Sequence, residues 1–495
     1  MPRNNFKNQD LRRDLRSRSV QGSFFTLIGQ VAIFVVQIGG TAVLARLLTP
    51  GDFGLIAMVT ALTGLPAMLR DAGLSMATVQ KESITHEQVS TLFWINAGIS
   101  LLLALMVCAG APLVALFYSE PRLLEITLAV SASVFLGGLA VQQQALIKRR
   151  MKYGTLSLIL VSTQISATSV GIIAALAGAG YWALVAMYIT QPFILFILNW
   201  ICSGWRPGRP RRGTGVGEMV RFGGNLTISR FFNYLVRRLD NILIGYFTGV
   251  AALGLYSKAY SLLMLPINQI NQPMANVVIP SLSRLQSDEV AYRKYYKKAL
   301  FYMTSLVMPV VMFCFIFTED IILVVLGEQW VGAIPIFKAL VPAAFVGTFN
   351  YASSWALVPL GQAHKEMKLS VFNGFVIILA FFIGVQWGAL GVAVSLSLGE
   401  VLKRPFTLWY AFKESPIKFS DFNKSIALPF MASLGATAAI IGLMQAMPAL
   451  SIYKNLFIYG VLFIIIYLGI WLWRPGAFKE VKCLLMDLKH RSLRF

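Results

Sequence analysis

The sequence predicts an all-α polytopic membrane protein with about fourteen transmembrane helices, the first twelve being two copies of a six-helix unit. Three observations carry this. The first is composition: of 495 residues, 57% are hydrophobic and 13% charged, where a soluble domain is about a quarter charged. The second is charge placement. The formal charge of +22 would suit nucleic acid, but the cations sit in short loops between apolar runs. Of 43 Lys and Arg, 34 fall in the tails and in the loops after even-numbered spans, counting cationic helix ends such as Lys403 and Arg404, and four (Arg46, Arg122, Lys258, Lys454) in the loops after odd-numbered spans. That asymmetry puts both termini in the cytoplasm. The third is a repeat: 44–66 aligns with 243–266, matching Thr49 to Thr248, Gly54 to Gly254 and Pro66 to Pro266, and 148–158 is similar to 364–372. Both copies start inside, so the repeat is parallel, with a pseudo-two-fold along the membrane normal.

The chain opens with a basic cytoplasmic tail, 1–19, suited to anionic headgroups. No cleavable signal peptide is expected. The N-terminal six-helix lobe is 20–202. Span one, 20–44, carries Gln30, Gln37 and Thr41 on one face, and Thr49-Pro50-Gly51-Asp52 reads as a tight turn. Span two, 53–79, contains Arg70 and Asp71; these point about 100° apart on a helix, and Gly73 beside them allows a break. They read equally well as a structural helix-end pair and as functional. Spans three to six are 91–117, 123–145, 156–177 and 181–202.

A Pro-, Gly- and Arg-rich cytoplasmic linker, 203–218, follows. Its glycines resemble a phosphate loop only superficially, since they follow no soluble strand and have the wrong spacing. The C-terminal six-helix lobe is 219–412. Span seven is 222–247. Span eight, 257–282, is amide-rich, with Asn271 among its amides, and is expected to be broken by Pro273. A basic loop, 284–298, leads to span nine, 299–326, and an outside loop with Glu319, Asp320 and Glu328. Span ten, 334–360, is expected to bury Lys338 near its outer end, and spans eleven and twelve are 368–386 and 390–412. Two additional transmembrane helices lie in 413–473, and the basic tail 474–495 has the spacing of an interfacial helix. His86, His364 and His490 read as solvated histidines, and the four cysteines are too dispersed for a disulfide framework or a metal site.

Span seven holds the candidate site. Arg230, Asn233, Tyr234, Arg237, Asp240 and Asn241 follow helical spacing and line one face, with Arg238 beside them. Each charge near the middle of a span costs roughly 2.5–3.5 kcal/mol on insertion scales. Asp240 can neutralise only one of the three arginines, so the face calls for an anionic ligand or a polar partner helix; an Arg–Asp pair satisfying itself inside the bundle is the plainer reading. Arg237 and Asp240, three apart, can meet on the helix. In the repeat, Gln30 and Gln37 fall within one position of Arg230 and Arg237. With Gln30, Gln37, Arg70, Asp71, Asn271 and Lys338, these residues form the expected polar lining. There is no ATP-binding G-x-x-x-x-G-K-[ST], no Asp-x-Asp pair and no nucleophile–base constellation. The expectation is transport without covalent chemistry or a cofactor.

Residues 49–65, 70–80, 92–96 (LFWIN), 237–249 (RRLDNILIGYFTG) and 253–266 closely resemble the Wzx-type polysaccharide flippases, in particular the colanic-acid exporter branch. That family belongs to the multidrug/oligosaccharidyl-lipid/polysaccharide exporter superfamily. The resemblance covers nearly the whole chain. It implies two six-helix lobes around a central cavity, two extra C-terminal helices and alternating access in a bacterial inner membrane. It implies a cargo, an oligosaccharide repeat unit on undecaprenyl pyrophosphate, membrane lipids as surroundings, and polysaccharide polymerase and chain-export machinery as partners. The coupling ion, H+ or Na+, is left open. The alternatives are a cation-coupled multidrug exporter of the same superfamily, which would want carboxylates in the lumen, and a membrane scaffold that transports nothing.

The layout is tested by reporter fusions: those after residues 150, 212, 290 and 415 are expected in the cytoplasm, and those after 120, 250, 328 and 450 in the periplasm. Two adjacent loops on one side would remove the fourteen-span arrangement.

Overall fold

The computed structural model describes residues 6–7, 15–71, 73–81, 83–211, 213, 215–217, 234, 236–447 and 451–472. The described chain is helical apart from one antiparallel pair, Phe6–Lys7 with Ser83–Ile84. Arg230, Asn233, residues 222–233 and 235 of span seven and the C-terminal tail lie outside the described residues. Twelve helical stretches among the described residues are long and apolar enough to cross a membrane. One of these, Ala363–Phe412, is two helices, because the chain turns at Gly388 with φ 70°. The chain is therefore a multi-pass membrane protein. Apolar side chains left exposed along its helices, such as Leu116, Phe457 and Leu402, are those that lipid covers.

The chain falls into two compact units, Met1–Ser257 with Val325–Gln329, and Lys258–Val324 with Trp330–Phe495. The first begins with α1 (Leu15–Leu47) and α2 (Pro50–Leu69). Thr49–Asp52, expected as a turn, is the start of α2. Thr49 Oγ1 accepts from the Asp52 amide at 3.3 Å, and Asp52 Oδ2 accepts from the Thr49 amide at 2.8 Å. Pro50 stands where a helix needs no amide donor. The break expected at Gly73 is present. Gly73 has φ 67°, a left-handed conformation that side chains resist, and α3 (Leu74–Gln80) starts after it.

Next come α4 (His86–Tyr118), α5 (Arg122–Leu139), α6 (Val141–Arg149), α7 (Tyr153–Leu176) and α8 (Trp182–Ser203). α4 packs along α5, α7 along α1 and α8, and α3 along α6. Arg149, read from sequence only as a sidedness marker, is buried and donates to the carbonyls of Thr78 at 2.9 Å and Lys81 at 2.5 Å, closing the C-terminal end of α3. His86 is not a solvated loop residue. It opens α4, its Nδ1 accepts from Trp205 Nε1 at 3.0 Å, and its ring stands edge-on to Trp205. The first part of the Pro/Gly-rich segment thus lies as a strap on α4: Gly208 N donates to Ser90 Oγ at 3.0 Å and Trp94 Nε1 to Gly208 O at 2.8 Å. A helix over 236–248, here α9, leads to α10 (Val250–Arg284).

α10 corrects an expectation: it runs unbroken through Pro266, Pro273 and Pro280. Spaced seven apart, the prolines drift only about 20° per heptad, so the hydrogen bonds they remove lie on one side and the other side of the ladder carries the helix. The second unit continues with α11 (Glu289–Ile316), α12 (Thr318–Val325), α13 (Ala333–Gly347), α14 (Phe349–Leu357), α15 (Ala363–Gly384), α16 (Gly388–Phe412), α17 (Phe419–Ala446) and α18 (Ile452–Leu472). α16 packs on α13 and α15, and α17 on α11 and α18. The basic loop 284–298 is largely the first turns of α11, which Asp288 caps by accepting from the Ala291 amide at 3.0 Å. Glu319 and Asp320, expected in a loop, open α12.

The repeat has a structural counterpart inside the first unit. A Cβ on Gly54 would lie 1.9 Å from the Val250 carbonyl oxygen, and one on Gly254 would lie 1.8 Å from that of Pro50. α2 and α10 therefore cross at their starts reciprocally, each repeat-related glycine lying beneath the first carbonyl of the other helix. Gly54→Ala and Gly254→Ala are each expected to lower stability by about 1–3 kcal/mol, the usual cost of overpacking. Gly98→Ala, with nothing within 4 Å of its Cβ, is the neutral control. Thermal unfolding of the purified protein in detergent checks all three.

Candidate functional site

α9 divides the predicted stripe. Arg237 and Arg238 are exposed, while Asp240 and Asn241 are buried, Asp240 to 6%. At 3.6 residues per turn Asp240 lies about 120° around the axis from Tyr234, so it is the edge of the stripe that turns into the protein. There its Oδ2 accepts from Tyr256 Oη of α10 at 2.9 Å and its Oδ1 accepts from the Asn241 amide at 2.7 Å. The expected Arg237–Asp240 pair is absent among the described residues. Both carboxylate oxygens have found donors elsewhere, and the arginines are left facing outward.

On the exposed side the structure assembles a group that sequence spacing alone did not show. Tyr234 Oη donates to the Thr60 carbonyl of α2 at 3.0 Å. It reaches α2 because residue 64 is glycine: a Cβ there would lie 2.0 Å from the hydroxyl. The Arg238 guanidinium carbon stands 5.8 Å from the centre of the Tyr234 ring, a cation–π distance. Tyr188 of α8 lies within electrostatic range of both Arg238 and Arg70. Arg70, at the end of α2, fits against α5 because Gly137 has no side chain; a Cβ there would meet Nη1 at 1.8 Å. Two guanidinium groups and two phenols thus lie near one another: Arg70 at the end of α2, Tyr188 on α8, Arg238 on α9 and Tyr234 just before α9. Tyr188 had no signal in the sequence, being one tyrosine in an apolar span.

Asp71 lies within electrostatic range of Arg70 but makes its hydrogen bonds elsewhere. It accepts from the Ser75 amide at 2.9 Å and from Ser75 Oγ at 2.6 Å, capping α3 across the Gly73 break. Arg70 and Asp71 therefore separate, the arginine toward Tyr188 and the acid into helix capping. Gln30 is half-buried and Gln37 exposed on α1. In the second unit Asn271 is buried with its Oδ1 unpartnered. Lys338 is exposed, not buried as expected, because its neighbours Ile336 and Phe337 take the inward face of α13. Lys403 and Arg404, counted from sequence as a cationic helix end, are buried on α16. No group of three or more His, Cys, Asp or Glu among the described residues is placed to hold a metal ion.

The family model described as "Polysaccharide biosynthesis protein" matches residues 43–335, more than half of the chain. The chain belongs to this polysaccharide biosynthesis protein family. The family's relatives include lipopolysaccharide biosynthesis protein WzxC of Escherichia coli (strain K12), 24% identical over 85% of this chain and 86% of that protein. Teichuronic acid biosynthesis protein TuaB of Bacillus subtilis (strain 168) is 25% identical over 85% of this chain and 88% of that one. Among solved structures, lipid II flippase MurJ in an inward closed conformation superposes with a TM-score of 0.73 at 12% identity, over 91% of this chain and 98% of that chain. An inward-facing MATE family multidrug resistance transporter superposes at 0.58, with 12% identity over 78% and 97%. At that identity the two structures speak for the fold alone. The resemblance to Wzx-type flippases holds for this member of the polysaccharide biosynthesis protein family.

In this member of the polysaccharide biosynthesis protein family, Tyr256→Phe is expected to cost about 1–3 kcal/mol, because it strips a donor from a buried carboxylate. Tyr246→Phe, on the exposed side of α9, is expected to cost nothing measurable. Thermal midpoints of the two variants decide; equal midpoints would show that Asp240 does not depend on Tyr256.

Proposed function

We propose that the protein moves an undecaprenyl-pyrophosphate-linked oligosaccharide repeat unit from the cytoplasmic to the periplasmic leaflet of a bacterial inner membrane by alternating access. One observation carries this reading: Arg70, Arg238, Tyr188 and Tyr234 lie near one another, while the nearby acids make their hydrogen bonds to other residues, Asp240 to Tyr256 and Asp71 to Ser75. The guanidinium groups are left to offer their hydrogen-bond donors to a ligand. Guanidinium groups take phosphate oxygens two at a time, and phenol rings offer faces and hydroxyls to sugars. A cationic drug would meet repulsion here, which disfavours the multidrug reading.

In this reading Arg237 and Arg238 hold the pyrophosphate or an acidic sugar, Arg230 and Asn233 extend the path toward the cytoplasm, and Gln30 and Gln37 are its neutral counterpart in the first copy of the repeat. The lipid tail stays in the bilayer while the headgroup crosses. The lobes 20–202 and 219–412 are the moving bodies, and both termini are cytoplasmic. With no ATP-binding loop in the sequence, an H+ or Na+ gradient drives the cycle. The product is handed to polysaccharide polymerase and chain-export machinery.

Surface polysaccharide in a deletion strain, normalised to protein in the membrane, is the assay. The Arg230→Ala/Arg237→Ala/Arg238→Ala variant is expected to insert normally and lose export by roughly ten-fold or more, since neutral residues are easier to bury than charges. Arg237→Lys retains part of the activity if charge dominates and loses it if bidentate geometry does. Normal export by the triple variant would sink the reading.

A further inference from the structure

The second unit holds a separate group of charges on α16. Glu400 lies midway along this helix, about 18 Å from either end at 1.5 Å per residue. Its Oε1 accepts from Lys403 Nζ and its Oε2 from Arg404 Nη2, both at 2.6 Å. Arg404 Nη1 donates to Asn350 Oδ1 of α14 at 2.6 Å. The Lys403 and Arg404 side chains are only 4% and 5% exposed. Two cations and one carboxylate leave a net charge of +1 buried at mid-membrane. Such a charge is costly, and helix packing does not require it, since apolar side chains of the same volume serve packing as well or better.

The geometry of the guanidinium shows what is missing. Nε and Nη2 form one edge, whose two parallel N–H groups match the two oxygens of a carboxylate or phosphate. Glu400 engages Nη2 alone, because its other oxygen is taken by Lys403. Arg404 Nε is buried with no acceptor. An arginine edge half used, a lysine with spare donors and an uncompensated positive charge together define a place for one more oxyanion.

We propose that Arg404, Lys403 and Asn350 form a second oxyanion-binding site, for a carboxylate or phosphate group, in which Glu400 stands in for the ligand until it arrives. That the oxyanion is borne by the lipid-linked cargo rests on the function proposed above; the binding chemistry does not. On arrival the ligand takes the Nε/Nη2 edge and Glu400 withdraws to Lys403 alone. Glu400 is thus a competitor: removing its charge tightens binding, and adding a second carboxylate beside Arg404 weakens it.

The test uses the full-length chain in detergent carrying Arg237→Ala and Arg238→Ala, so that those two arginines contribute nothing. Sodium glucuronate and inorganic pyrophosphate are titrated separately at constant ionic strength, and the rise in thermal midpoint gives the half-saturating concentration. Glu400→Gln is expected to lower that concentration roughly ten-fold, and Asn350→Asp to raise it by a similar factor, as close charge pairs do. A merely structural cluster would not move in opposite directions in the two variants. Half-saturating concentrations unchanged in both variants, no response in any form, or a response equalled by chloride would each overturn the site. Those outcomes leave the proposed cargo standing, because export by the Arg230/Arg237/Arg238 variants tests it separately. A response to pyrophosphate alone assigns the site to phosphate, and one to glucuronate alone assigns it to acidic sugars; either supports it.

Discussion

A charge within a membrane span finds no water to solvate it, and this structure is arranged around the few such charges the chain carries. Each buried one has a specific donor or acceptor. Asp240 takes Tyr256 and the Asn241 amide, Arg149 takes the last carbonyls of α3, and Glu400 takes Lys403 and Arg404. Arg149 joins α6 to α3, Asp240 joins α9 to the next helix, and the Glu400 pairs lie within α16, whose Arg404 reaches Asn350 of α14, so the satisfaction of charge and the packing of helices are linked. Where a helix must break, a polar side chain covers the exposed backbone, as Asp71 does beside Gly73.

Once the acids have made their hydrogen bonds, no salt bridge reaches Arg237 or Arg238 among the described residues. The Arg238–Tyr234 contact and the approach of Tyr188 to Arg70 and Arg238 follow from which residues remain. Polarity at this site is therefore a consequence of where carboxylates were spent. The same arithmetic on α16 ends differently. There the acid stays with its cations, but one carboxylate serves two of them and leaves part of a guanidinium edge unused.

Close backbone approach is the second organising feature. Helices in lipid gain nothing from hydrophobic exclusion, so contact must come from shape. Gly54 and Gly254 supply it at the crossing of α2 and α10, Gly64 under Tyr234, and Gly137 under Arg70. In each case the missing side chain is filled by a partner's polar or backbone atom. The reciprocal Gly54–Gly254 arrangement also gives the internal repeat a physical meaning, since equivalent residues meet each other.

The sequence by itself determined the helical class, the position of most of the described spans, the repeat and the cationic character of α9. These follow from rules the bilayer applies locally: a length of apolar chain, a count of lysines and arginines, a spacing on one helix. Only the tertiary structure decided the partners. Arg237 and Asp240 sit three apart and by local rules should pair, yet Tyr256, on the next helix, takes the acid. Arg70 and Asp71 are adjacent and serve different tasks, and Tyr188 enters the site from a span with no polar signal. Lys403 and Arg404 look like a helix end until α13, α14 and α15 cover them. Three prolines look like a break until their seven-residue spacing leaves one side of α10 intact. A hydrogen-bond partner is chosen by distance in space, and a single sequence records only distance along the chain.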